Sequence, residues 1–161
     1  MITNMLAELE GKSFVLADER ELLQRAGVVL VHSSGAPRQD LDWIARTFPR
    51  IWAQEAAAGQ NWFTRTLSGA PVGFATYEQR QLRWWWLEAW LKQPDVGIFG
   101  PMGVHRALRG KHLGAILLCR ALTSLQQLGF KRAVIPAVGP VKFYERWCGA
   151  RVVERLKRPL S

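Results

Sequence analysis

The chain has 161 residues, 48% of them hydrophobic, enough for one domain with a sizeable core. No apolar run reaches membrane-span length and the first residues lack an export signal, so the expectation is a cytoplasmic protein that does not enter a membrane. The net charge of +9 is lopsided: 12 Lys/Arg face two acids from Gly100 onward, while the first 99 residues carry 10 against 11, which predicts an anionic partner and disfavours polycationic ones.

In chain order, the first 27 residues hold two short helical patterns, Asn4 to Leu9 and Asp18 to Ala26. They predict an N-terminal helical extension (1–27), a dimer contact or the remnant of a tandem partner, ahead of a domain spanning 28–161. Val28 to Val31 is a β-branched strand closed by the loop Ser33-Ser-Gly-Ala-Pro37. Asp40 to Phe48 reads as a helix, and Pro49 opens a second through Ala58. Asn61 to Leu67 and Pro71 to Tyr77 flank Ser68-Gly69-Ala70 as a hairpin.

Next comes an unusual density of tryptophan. Eight Trp occur in the chain, and four fall in Trp84-Trp85-Trp86-Leu-Glu-Ala-Trp90. On a helix Trp86 and Trp90 share a face; in an extended segment Trp84 and Trp86 do. Core filling or a dimer interface accounts for such a cluster, and so does an aromatic wall for a bound substrate. Val96 to Val104 is a strand interrupted by Gly100-Pro101, because proline cannot donate to a ladder. Leu118, Ala121, Leu122, Leu125 and Leu128 give the following helix an apolar face that ends at Gly129. Arg132 to Val138 is a strand, Pro140 opens a helix through Trp147, and Ala150 to Leu156 is the last strand.

The most informative stretch is Val104-His-Arg-Ala-Leu-Arg109-Gly110-Lys111-His112-Leu113-Gly114-Ala115. A strand turning into a helix places unpaired N–H donors and a partial positive charge at the turn. With Arg109 and Lys111 it is suited to a phosphate or pyrophosphate. A Walker A loop fails, because Gly103 and Gly110 enclose six residues and His112 follows the lysine. Gly97, Gly100 and Gly103 do not space as a dinucleotide turn either.

This segment resembles the acyl-CoA-binding motif of the GNAT superfamily of N-acetyltransferases. In that family an Arg/Gln-x-x-Gly-x-Gly/Ala loop wraps the CoA pyrophosphate between a central strand and the next helix. Arg109 matches its first position and Gly114 its last. His112 stands where the family usually has Gly, and Arg106 where it often has Pro. The element order from Val28 to Leu156 is also that of the family. The resemblance implies an α/β (α+β) GNAT fold, with a central mixed, mostly antiparallel sheet flanked by helices. It implies acetyl-CoA as co-substrate and no metal. Met102, Gly103 and Val104 would line the pantetheine arm, and Arg109, Gly110, Lys111, His112, Leu113, Gly114 and Ala115 would hold the pyrophosphate.

A second match is Gly139-Pro140-x-x-Phe143-Tyr144-Glu145-Arg-Trp-Cys-Gly149, similar to the family's Phe-Tyr-Glu-x-x-Gly helix. There the tyrosine commonly protonates the departing CoA thiolate, so Tyr144 is the expected catalytic acid. Candidates for a base are Asp95, Glu88, Glu78 and His105. Trp84 and Trp86 are candidate walls of the acceptor pocket. Cys119 and Cys148 fit no zinc or Cys-x-x-Cys spacing and are expected as free thiols.

The expected activity is direct acetyl transfer from acetyl-CoA to a primary amine on a small molecule or peptide, with a homodimer allowed. Two rivals are a basic module stacking single-stranded nucleic acid on its tryptophans, and a CoA-binding domain without catalysis. The first leaves the turn and Tyr144 unexplained.

Overall fold

Residues 1–79 and 85–158 are described by a computed structural model. Among them, seven strands form one sheet: β1 (Ile2–Glu8), β2 (Val28–Ser34), β3 (Gln60–Thr66), β4 (Pro71–Tyr77), β5 (Val96–Val104), β6 (Arg132–Ile135) and β7 (Arg151–Leu156). The helices are α1 (Glu19–Ala26), α2 (Arg38–Thr47), α3 (Ile51–Ala58), α4 (Glu88–Leu91), α5 (Leu113–Gln127) and α6 (Val141–Cys148). Spatial order is β2-β3-β4-β5-β6-β1-β7, antiparallel throughout except between β5 and β6. This is the mixed, mostly antiparallel sheet expected, and from β2 to β7 the elements follow the order read from the sequence, with the short α4 added between β4 and β5.

Alternation along the strands sends side chains to two cores. Phe63 and Phe74 pack with Ile44 and Ala56 under α2 and α3. Ala75 and Tyr77 pack with Leu117, Ala121, Leu122 and Leu125 of α5. Leu128, expected on that α5 face, is instead exposed (59%), because it follows the last helical turn. The sheet therefore carries α1, α5 and α6 on one face and α2, α3 and α4 on the other.

The N-terminal helical extension requires correction. Asp18 to Ala26 does form a helix, α1, but Asn4 to Leu9 does not. Residues 2–8 are a strand inside the sheet, paired with β6 through Met5↔Ile135 and with β7 through Ile2↔Leu156. Met, Leu, Ala and Glu favour helix locally, but two open strand edges and the burial of Met5, Leu6 and Ala7 override that preference. The strand expected to run from Arg132 to Val138 also stops early, at Ile135. Pro136 lacks an N–H, and Ala137 turns into the left-handed region (φ 51°).

Candidate functional site

The early end of β6 opens a gap in the sheet. The β5–β6 ladder spans only Val96↔Arg132 to Ile98↔Val134, while β5 runs on to Val104. On its other edge β5 stays paired with β4 as far as Gly73↔Val104, with a register shift opposite Gly100-Pro101, where a break was expected. The His105 N–H donates to the Val72 carbonyl (2.6 Å), marking the hydrogen-bonded positions of that ladder. By alternation Gly103 is the next of these and faces β4. Met102 and Val104 then turn their N–H and C=O groups into the gap. Gly103 serves packing instead: a Cβ there would lie 2.5 Å from the Phe48 ring.

A cavity of about 370 Å³ runs through this gap. From the β5 side it is lined by Phe99, Gly100, Pro101 and Met102, and from the β6 side by Ile135 through Pro140. Tyr144 of α6 closes one face of the sheet; Trp52 and Glu55 of α3, with Trp86, close the other. Tyr144 is buried and meets Phe99 edge to face (6.1 Å, 68°). Burial, and secondarily the nearby Cys148, push its phenol above the usual tyrosine range, so it keeps its proton. Glu55 is half-buried, and desolvation raises its carboxyl to about 7.

The far wall is tied down by β1. The Asn4 side chain, fully buried, donates to the Trp86 carbonyl (3.1 Å) and to Glu154 Oε1 (2.7 Å). Its oxygen accepts from the Ala137 N–H (3.0 Å), and the Thr3 carbonyl accepts from Val138 (2.7 Å). Trp90 Nε1 donates to the same Glu154 oxygen (2.7 Å).

The Arg-Gly-Lys turn lies at the mouth of a second pocket of about 300 Å³, which Val104, Arg109, Gly110, His112, Leu113, Gly114 and Ala115 share with Phe143, Arg146 and Trp147 of α6. Gly114, on the wall of this pocket, stands beside Met102 on the wall of the first: a Cβ there would touch Phe143 (3.5 Å) and Met102 Cε (3.8 Å). Arg109, Gly110, Lys111 and His112 are exposed, whereas the side chains of Leu113 and Ala115 are in the core and can offer only backbone. Among the described residues neither Arg109 nor Lys111 is held in an ion pair. His112, at the start of α5, takes the left-handed conformation (φ 63°) that a glycine would adopt freely, and its ring meets Trp147 edge to face (5.7 Å).

Of the base candidates, none lines the cavity. Asp95 sits at the opposite end of β5, where the hydrogen bond from Arg132 holds its carboxyl below the usual range. Glu88 is exposed beside Lys92 (4.0 Å). His105 Nδ1 accepts from the Ala107 N–H (3.0 Å), and Glu78 follows β4 with its N–H on the Ile98 carbonyl. Both cysteines are free and buried, with thiols pushed up to about 11, mainly by burial. Trp84 lies outside the described residues. Trp86 and Trp90 pack against Leu6, Leu87, Val96, Ile98 and Val134 on the α4 face. Among the described residues there is no group of three or more His, Cys, Asp or Glu able to hold a metal, and no helix long and apolar enough to cross a membrane.

Sequence reasoning missed Glu55, Trp52, Arg146 and Trp147. Trp52 and Glu55 stand three apart on α3, one face of a helix, and that spacing was the available signal.

Residues 20–150 match the family described as Acetyltransferase (GNAT) family. No curated protein matches. Among solved structures, the chain is similar to a GCN5-related glucosamine N-acetyltransferase region of a fungal multi-domain GH3 β-N-acetylglucosaminidase, with TM-score 0.72 and 16% identity over 95% of this chain and 20% of that one. It is similar to a putative GNAT acetyltransferase from Novosphingobium aromaticivorans, with TM-score 0.58 and 15% identity over 95% and 61%. It is also similar to the GNAT family N-acetyltransferase YhbS from Escherichia coli, solved in complex with CoA, with TM-score 0.54 and 16% identity over 73% and 67%. The chain spans only 20% to 61% of the length of the first solved chains it matches. At these identities the likeness speaks for the fold.

Proposed function

The chain belongs to the Acetyltransferase (GNAT) family, and on that premise we propose that it is an acetyl-CoA-dependent N-acetyltransferase acting on a primary amine by direct attack. The observation that carries this reading is the nearness of the two pockets: Gly114, beside the exposed cationic turn at the start of α5, stands against Met102, which lines the gap where Tyr144 sits. A pyrophosphate fits the turn because Arg109 and Lys111, in no ion pair among the described residues, are cations at a helix N-terminus. An amide-bearing arm fits the gap because Met102 and Val104 offer strand hydrogen bonds there that β6 does not take. A main-chain N–H in that position would also polarise the thioester carbonyl.

When the C–S bond breaks, the sulfur leaves as an anion. Tyr144, buried and firmly protonated, would supply the proton. Thiol release in the presence of acetyl-CoA and amines tests this directly. Tyr144→Phe should lower kcat by about tenfold to a hundredfold while the acetyl-CoA Kd stays within about twofold. Full activity in that variant would remove Tyr144 from the acid role.

A further inference from the structure

We infer that Glu55 receives the acceptor's ammonium group and removes its proton, and that the acceptor is a primary amine on an otherwise uncharged body; this rests on the acetyl-transfer reading above. The gap joins the two faces of the sheet, with Tyr144 on one and Glu55 on the other. An acetyl thioester held along β5 would therefore have one proton-handling group for the attacking nitrogen and another for the leaving sulfur. Among the described residues Glu55 has neither a hydrogen-bond nor an ion-pair partner, although it is half-buried. A carboxylate kept unpaired in a cavity calls for a ligand cation.

The surroundings define that cation. Trp52 and Trp86 supply aromatic surface on Glu55's side of the cavity, which attracts an ammonium and accepts a flat or ring-shaped body. Apart from Glu55 and Tyr144, the described lining holds no ionisable side chain. A second ammonium or a carboxylate on the acceptor would be desolvated there without a counter-charge. Burial also brings Glu55 to about 7, so it can both take and release a proton near neutrality.

The protons balance as follows. Glu55 carboxylate takes one proton from the ammonium and later gives it to solvent. The freed nitrogen lone pair attacks the carbonyl carbon, the C–N bond forms and the C–S bond breaks. Tyr144 passes its hydroxyl proton to sulfur, and its oxygen then takes the surplus proton from the new amide nitrogen. The net products are acetamide, CoA thiol and one proton.

The test is steady-state thiol release by the full chain with acetyl-CoA and four acceptors: 2-phenylethylamine and glucosamine as uncharged bodies, putrescine with a second ammonium, and glycine with a carboxylate. At least one of the first two should exceed both of the others about tenfold in kcat/KM. Its pH profile should carry an acid limb with an apparent pKa near 7. Glu55→Gln should lower kcat about a hundredfold or more and abolish that limb, with acetyl-CoA Kd unchanged within about twofold. Glu55→Asp should keep the limb with a smaller loss, which a merely structural role would not produce. The inference is overturned if Glu55→Gln keeps the wild-type rate and profile, if putrescine or glycine is preferred, or if acetyl-CoA binds and none of the four is acetylated. Failure of the wild type to bind acetyl-CoA overturns the acetyl-transfer reading as well.

Discussion

Two acids share one cavity, and burial raises both, with opposite chemical consequences. Tyr144 is carried further from the working range and stays protonated. Glu55 is carried into it, from 4.5 to about 7. The second shift is also a statement about stability. Because the folded-state value lies above the unfolded one, the folded protein holds the protonated form more tightly. The associated stability is complete below pH 4.5 and is lost as pH rises through about 7. Glu55→Gln should therefore match the wild type in urea unfolding near pH 4.5 and gain on it up to about pH 7. Above that the gain should hold level at about 1–2 kcal/mol, allowing for partial exposure. A difference that does not vary with pH would contradict this account. A variant that is both more stable and less active fits a charge kept for chemistry.

At the scale of elements, what the sequence disclosed depended on where the decisive contacts lie. The run from β2 to β7 was legible because alternation, turn residues and the α5 face are local patterns. The Gly100-Pro101 break was legible because proline's missing donor is intrinsic. β1 was not, since Met, Leu, Ala and Glu state a helical preference and only β6 and β7 make residues 2–8 a strand. Glu55 was legible only as Trp52's neighbour on one helix face; that this face borders a cavity depends on a gap formed by strands far along the chain. The turn before α5 lies between these cases: its charge and spacing were readable, but the left-handed backbone of His112 was not. A β-branched side chain tolerates that conformation worst. His112→Val should cost about 1–3 kcal/mol in urea unfolding, whereas His112→Gly should stay within about 1 kcal/mol of the wild type, trading backbone relief against the Trp147 contact. Equal losses would mean that the ring contact, not the backbone, governs the position.

Across the whole molecule, the parting of β5 from β6 turns a sheet that would divide two faces into a passage between them. The α5–α6 face presents the cationic turn, and the α3 face presents Trp52 and Glu55. β1 holds the passage open by pairing with β6 and by anchoring Trp86 and Ala137 through Asn4. The charge distribution agrees, since the surplus of Lys and Arg follows Gly100 in the sequence, in the same half of the chain as the turn. Everything proposed for this chain depends on a CoA thioester entering by that turn. Calorimetric titration with acetyl-CoA tests this most directly, comparing the wild type with Arg109→Ala/Lys111→Ala. The account predicts one site per chain, weakened about tenfold or more in the double variant and weakened further by added salt. No binding at millimolar acetyl-CoA, or equal affinity in the double variant, would contradict it.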